Sequence, residues 1–139
     1  MDAKVTGHYA NSILAMKDAK VKGYDDALLL DQQGFVAEAT GANFFVQRDG
    51  VLYTPPKGNI LPGITRTIVM ELAAANGMVV EEKHFTPDWI HGAEGAFLTG
   101  TAVEVKAIGT FDDVPFSRPW EDTFGATLQQ QFQHTVRAA

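Results

Sequence analysis

The chain has 139 residues, 45% hydrophobic and 20% charged, and contains no cysteine, so disulfides, thiolate metal sites and thiol catalysis are excluded. This length and composition are typical of one globular domain with a buried core. With 11 Lys and Arg against 17 Asp and Glu, the net charge is −6, which provides no basic surface for nucleic acid or an anionic membrane. No apolar run approaches the roughly 18 residues of a membrane span, and no basic-then-apolar leader opens the chain, so we expect a cytoplasmic protein.

The first part of the chain predicts one helix followed by four strands. Apolar residues at helical spacing predict a helix over residues 9–22, closed by Gly23 in a left-handed conformation. Asp49-Gly50 lies between two β-rich segments and is the clearest hairpin signal in the chain. The predicted strands are residues 26–31, 35–40, 44–47 and 51–54.

The second part alternates helices and strands. Three prolines and two glycines make residues 55–63 a loop. A helix is predicted from Ile64 to the glycine at 77, with an apolar face formed by residues 64, 68, 69, 72 and 73. Thr86 and Pro87 predict the start of a short helix through residue 90. Strands are predicted at 78–85, 96–99 and 103–108, and a last helix follows Pro119 with Trp120, Phe124, Leu128, Phe132 and Val136 spaced four apart. The pattern predicts one compact α+β domain over residues 1–139.

A carboxylate, Glu38, interrupts the second predicted strand between Ala37 and Ala39. Alternation along the strand can turn it away from the buried face, as an ordinary solvated carboxylate. Alternatively it points inward, where it needs a cationic partner because an unpaired buried charge is costly. The pattern leaves both orientations open.

Two turns are candidate anion sites. Residues 62–65 (Pro-Gly-Ile-Thr) lead directly into a helix, so its free amides, its dipole and the Thr65 hydroxyl favour a phosphate. The alternative is that Thr65 only caps its own helix, and the segment is not a Walker loop because no Gly-Lys-Thr/Ser follows. Residues 99–102 (Thr-Gly-Thr-Ala) can present consecutive N–H groups and a hydroxyl to an anion, or form a plain β-turn.

Lys4 and Tyr9 form the remaining candidate. A lysine amine that is desolvated or lies beside another cation becomes nucleophilic toward aldehydes, whereas a lysine near a chain end is otherwise a solvated tail residue. A nucleophilic lysine, a carboxylate and two amide-rich turns are together the groups that pyridoxal 5′-phosphate requires. The four histidines show neither i,i+4 pairing nor an acidic cluster, so no metal site is predicted.

Four motifs in order carry a family resemblance. They are GYDDALLLD at residues 23–31, VAEATGANFF at 36–45, LPGITR at 61–66 and FLTGTA at 97–102. With these motifs the chain resembles the C-terminal, larger domain of a branched-chain aminotransferase, in the fold-type IV pyridoxal-phosphate class, over essentially its whole length. The resemblance implies an α+β fold with a mixed β-sheet or pseudo-barrel flanked by helices.

The resemblance also implies roles for single residues. Lys4 matches the Schiff-base lysine, which also moves a proton between Cα and C4′. Tyr9 matches the tyrosine that hydrogen-bonds the phenolic oxygen of pyridoxal 5′-phosphate. Glu38 matches the glutamate that faces the pyridine nitrogen.

The phosphate and substrate groups are implied in the same way. Ile64 and Thr65 match the phosphate binders at a helix start, and Thr101 matches the threonine that completes the phosphate site. Backbone groups of Thr101 and Ala102 correspond to those near the substrate carboxylate. Ala42 stands where many relatives have glutamate, which we interpret as a subgroup feature because some branched-chain enzymes share it.

The resemblance finally implies partners and a truncation. The family's smaller N-terminal domain, with a phosphate-binding arginine and part of the substrate pocket, has no counterpart here, so we expect a fragment. The full-length protein is expected to transfer an amino group between leucine, isoleucine or valine and 2-oxoglutarate. It is also expected to be a homodimer. A D-amino-acid transaminase, an aminodeoxychorismate lyase and an inert cofactor-binding fragment remain as alternatives.

Overall fold

The computed structural model describes residues 2–6, 12–39, 41–56 and 63–138, which form an α+β fold. The helices are α1 (Ser12–Val21), α2 (Ile64–Ala75), α3 (Pro87–Ile90) and α4 (Phe124–Ala138), with a 3₁₀ turn at Trp120–Asp122. The strands are β1 (Asp2–Thr6), β2 (Asp26–Leu30), β3 (Val36–Ala39), β4 (Asn43–Arg48), β5 (Val51–Thr54), β6 (Val79–Glu82), β7 (Gly95–Gly100), β8 (Glu104–Ile108), β9 (Thr110–Phe111) and β10 (Val114–Pro115).

These strands form two five-stranded mixed sheets. The first has the order β10-β9-β1-β2-β3, with β1 parallel to both β2 and β9. The second has the order β6-β5-β4-β7-β8, antiparallel except for the parallel pair β5–β6. The two sheets adjoin where β3 turns into β4, at a bridge between Ala39 and Ala42. The expected α+β class with mixed sheets and flanking helices is confirmed.

Strand β4 separates two hydrophobic cores because its neighbouring phenylalanines face opposite ways. Phe44 packs with Leu98 and Phe111 in a core shared between the two sheets. Phe45 packs under α2 and α4, where its ring stacks on Phe97 at 5.0 Å. Since β4 is covered on both faces, its central residues 44–46 are consecutive apolar residues rather than alternating ones. Asn43 at the start of β4 is also buried, next to the bridge that joins β3 to β4.

The hairpin and the helix ends follow the sequence prediction closely. Asp49 and Gly50 have φ values of 52° and 76°, the left-handed pair of a tight turn between β4 and β5. Gly23 and Gly77 lie just beyond α1 and α2 with φ values of 88° and 73°. A side chain at these φ values is strained, so glycine is favoured there.

Three parts of the prediction are corrected. The strand expected over 78–85 covers only Val79–Glu82. The helix expected over 9–22 is not one of these corrections: it is described from Ser12 to Val21, and its predicted start at residues 9–11 lies outside the described residues. The short strands β1, β9 and β10 were not predicted, because two to five residues carry too little periodicity. On α2, Ile64 is 81% exposed and does not belong to the packed face.

No helix in the described part of the chain is both long and apolar enough to cross a membrane.

Candidate active site

A cavity of about 320 Å³ opens at the junction of the two sheets. Residues from four separate elements line it: Glu38 from β3, Asn43 from β4, Gly63 before α2, and Thr99, Gly100 and Thr101 at the end of β7. The fold therefore brings three of the four predicted sites, the carboxylate and both amide-rich turns, around one space.

Glu38 lies on one wall of this cavity. It is half-buried, while Ala37 and Ala39 beside it are each 1% exposed. Its Oε2 accepts a hydrogen bond from Asn43 Nδ2 at 3.4 Å. The carboxylate thus faces a cavity between buried neighbours rather than an open surface, and a cavity wall is where a carboxylate can meet a cationic ligand group.

The N-terminus of α2 lies at the same cavity. The N-cap residue of α2 is Gly63, which has no side chain to cap the helix. Its backbone N–H donates to Asn43 Oδ1 at 3.1 Å. The first N–H groups of a helix have no partner within the helix, so Ile64 and Thr65 present backbone donors at its positive end. Thr65 is buried at 8% exposure, although the cavity lining itself includes Gly63 and neither Ile64 nor Thr65.

The end of β7 forms the third wall. A Cβ added at Gly100 would lie 3.1 Å from the carbonyl oxygen of Gly41, so glycine favours this close approach of the two backbone segments. Thr101 follows in an exposed turn and lines the cavity. Ala102 is also exposed but is not among the lining residues.

Thr99 is buried with an unsatisfied hydroxyl. Its exposure is 0%, and within the described residues its Oγ1 has no hydrogen-bond partner. A buried polar group without a partner costs about 1–3 kcal/mol. We therefore expect the hydroxyl of Thr99 to lower the stability of the chain.

Thr99→Val is expected to raise the melting temperature by about 2–4 °C, because valine has nearly the same shape and carries no orphaned hydroxyl. Thermal unfolding followed by circular dichroism measures the change. Thr99→Ser is the matched control: it keeps the hydroxyl, loses a methyl group and is expected to melt below the wild type. A lower melting temperature for Thr99→Val would show instead that the hydroxyl has a partner.

Lys4 lies in β1, where its backbone pairs with Ala27 of β2. On the other edge of β2, Leu29 pairs with Glu38 of β3. Strand β2 therefore lies between β1, which carries Lys4, and β3, which carries Glu38. The Lys4 side chain and the whole of Tyr9 lie outside the described residues.

Arg66, in the first turn of α2, is a buried charged residue to which the sequence analysis gave no role, and it is not among the residues that line the cavity. It is 1% exposed, and its Nη2 donates to Glu82 Oε1 at 2.8 Å and to the carbonyl oxygen of Pro55 at 3.2 Å. Arg66 thereby ties the first turn of α2 to β6 and to the start of the loop before the helix. Its spacing from Val69 and Ala73 places all three on one helical face, and this was the available signal.

The chemistry of these groups suits a small ligand with a cationic end and an anionic end. Glu38 offers a negative charge on one side, while the N-terminus of α2 and the turn at Thr101 offer N–H and O–H donors on the other. A cavity near 300 Å³ is at the lower end of the size of small-molecule sites. Among the described residues, no group of three or more His, Cys, Asp or Glu side chains could hold a metal ion.

Residues 2–109 match the family described as amino-transferase class IV, and the chain belongs to this family. A branched-chain-amino-acid aminotransferase of Pseudomonas aeruginosa is 46% identical over 110 residues, which are 79% of this chain and 36% of that protein. The chain thus spans little more than a third of the length of this relative.

Solved structures show the same similarity. The branched-chain aminotransferase of Thermoproteus uzoniensis, solved with norvaline, superposes with a TM-score of 0.90 at 32% identity, covering 99% of this chain and 51% of that one. The branched-chain amino acid aminotransferase of Thermobaculum terrenum in its PLP form gives 0.91 at 29% identity, covering 99% and 51%. The fold is therefore that of fold-type IV aminotransferases.

Proposed function

We propose that this chain is the cofactor-binding, C-terminal domain of a branched-chain aminotransferase. The whole protein would use pyridoxal 5′-phosphate to transfer an amino group between branched-chain L-amino acids and 2-oxoglutarate. The observation that carries the proposal is that Glu38, Gly63 at the N-terminus of α2 and Thr101 line the same cavity. Similarity to an aminotransferase whose structure was solved in its PLP form supports it.

Each wall of the cavity has one task in this proposal. Glu38 faces the pyridine nitrogen and keeps it protonated, since a carboxylate stabilises a nearby positive charge. The backbone N–H groups of Ile64 and Thr65 and the hydroxyl of Thr101 bind the phosphate dianion. Backbone groups of Thr101 and Ala102 hold the substrate carboxylate. When bound, the cofactor supplies an electron sink for the carbanion at the substrate Cα.

Lys4 and Tyr9 complete the proposed site. Directly paired residues share one face of a sheet, and so do residues two apart on one strand. Lys4 pairs with Ala27 and Glu38 pairs with Leu29, so the register assigns positions 4 and 38 to the same face. Lys4 would hold the cofactor through its amine and move the proton between Cα and C4′, and Tyr9 would hydrogen-bond the phenolic oxygen.

A spectroscopic titration tests the proposal. Adding pyridoxal 5′-phosphate to the purified chain is expected to produce a new absorption band near the visible edge. L-Leucine is expected to convert the bound cofactor to its pyridoxamine form, and 2-oxoglutarate to reverse the change. D-Alanine is the matched comparison: conversion by D-alanine but not by L-leucine favours a D-amino-acid transaminase.

Two other outcomes decide against parts of the proposal. If no band appears, the chain does not form the cofactor site. If the band appears but neither amino acid changes it, the chain is a binding fragment without turnover, because positioning the substrate supplies much of the rate. From the family resemblance we also propose that the protein is a cytoplasmic homodimer. Light scattering on the purified protein tests the dimer.

A further inference from the structure

Asn43 stands between the two ends of the cavity and contacts both. It is 4% exposed, and it pairs with Thr99 across the β4–β7 ladder. Its Nδ2 donates to Glu38 Oε2 at 3.4 Å, and its Oδ1 accepts the backbone N–H of Gly63 at 3.1 Å. One planar amide therefore joins the carboxylate of β3 to the residue that caps α2.

The chemistry of the two partners fixes the orientation of this amide. A carboxylate only accepts hydrogen bonds, and a backbone N–H only donates them. Asn43 satisfies both only with its NH₂ group toward Glu38 and its oxygen toward Gly63. In the flipped amide, Oδ1 would face the Glu38 carboxylate and the NH₂ group would face the Gly63 N–H, and neither pair can form a hydrogen bond. The buried side chain therefore has one orientation.

The residue at position 63 fits the same arrangement. A Cβ added at Gly63 would lie 3.1 Å from Asn43 Oδ1, closer than most such contacts. Glycine therefore leaves room for the amide against the start of the helix. A hydrogen bond as long as 3.4 Å to Glu38 also leaves room to tighten when a ligand fills the site.

We infer that Asn43 is a positioning residue that holds Glu38 and the N-terminus of α2 at a fixed separation. The inference rests on the proposed function, in which Glu38 faces the ring nitrogen and α2 binds the phosphate. Both groups must be placed correctly for one rigid ligand, and one planar side chain bonded to both sets the distance between them. Asn43 then acts through Glu38 and Gly63 and does not itself need to touch the ligand.

A double-mutant cycle tests the coupling to Glu38, with pyridoxamine 5′-phosphate as the probe because it binds without a covalent link to lysine. Asn43→Ala is expected to raise its Kd about tenfold, and Glu38→Gln about tenfold to a hundredfold. If Asn43 acts through Glu38, the increase in Kd of the double variant should be at least about threefold smaller than the product of the two single-variant increases. Fully multiplicative effects would overturn the inference.

Amide exchange in the ligand-free chain tests the contact with the helix. Asn43→Ala is expected to speed exchange of the Gly63 N–H about fivefold, whereas Asn43→Asp keeps the accepting oxygen and should leave that exchange near the wild-type rate. Asn43→Asp should still weaken pyridoxamine 5′-phosphate binding, because it replaces the donor to Glu38 with a negative oxygen. A purely structural role would instead speed exchange throughout α2.

Asn76→Asp is the matched control, since Asn76 is exposed at the other end of the same helix, where its Nδ2 donates to the Leu72 carbonyl. It should leave both the Kd and Gly63 exchange unchanged. If the wild-type chain binds no pyridoxamine 5′-phosphate, the proposed function fails. The exchange rate of the Gly63 N–H is then the measurement that tests the inference about Asn43. Unchanged Gly63 exchange in Asn43→Ala overturns the inference in either case.

Discussion

Lys4→Ala is expected to abolish the borohydride-fixed adduct between the chain and pyridoxal 5′-phosphate. The amine is the group that condenses with the cofactor aldehyde, and reduction makes that link permanent. In a full-length active version the same change should lower the rate of amino-group transfer by at least about 10²–10⁴-fold, because the residue also moves the proton. Mass spectrometry of the reduced protein, followed by peptide mapping, measures the adduct and its position.

Lys17→Ala is the control for Lys4, because Lys17 is an exposed lysine on α1. It should leave both the adduct and the rate unchanged. If Lys4→Ala retains the adduct, another lysine carries the cofactor and the assignment of Lys4 is wrong. Noncovalent binding of pyridoxamine 5′-phosphate should persist in Lys4→Ala, which separates loss of the link from loss of the fold.

Glu38→Gln is expected to weaken binding of pyridoxamine 5′-phosphate by about tenfold to a hundredfold. Glutamine keeps the size of the side chain and removes the charge, and a hydrogen bond to a charged group is worth about 1.5–3 kcal/mol. The absorption spectrum of the bound cofactor should also change, because a neutral amide stabilises a protonated ring nitrogen less than a carboxylate does. Calorimetric titration gives the Kd, and an absorbance scan gives the spectrum.

Glu71→Gln on the exposed face of α2 removes one negative charge away from the cavity and is the matched control. It should bind pyridoxamine 5′-phosphate as the wild type does. An unchanged Kd and spectrum in Glu38→Gln would show that Glu38 does not face the ring nitrogen. Such a result would not contradict the proposed phosphate-binding groups.

Local sequence patterns predicted most of the long elements correctly. The Asp49-Gly50 turn, the helix from Ile64 and the strands on either side of Gly100 follow from turn chemistry and periodicity, which depend on neighbouring residues. The failures lie where long-range contacts decide. Strands β1 and β9 exist through pairing with distant strands, and the exposure of Ile64 depends on which side of α2 meets the sheet. Strand β10 pairs with the neighbouring β9 and was missed because it has only two residues.

The candidate site divides in the same way. Local chemistry and the four ordered motifs singled out Glu38, Thr65 and Thr101, since a carboxylate within an apolar strand and hydroxyls at amide-rich turns are visible in a linear sequence. Arg66 and Asn43 were missed because their partners are distant in the chain. Arg66 meets Glu82 sixteen residues away, and Asn43 meets Gly63 twenty residues away.

The sequence by itself determined the family, the residue types of the site and the turns that present them. Only the tertiary structure decided that Glu38, Gly63 and Thr101 share one cavity, because this depends on the pairing of β4 with β7 and on the bridge between β3 and β4. It also decided that Glu38 is joined to α2 through Asn43. Such contacts are set by the register of distant strands, and a linear pattern does not carry that register.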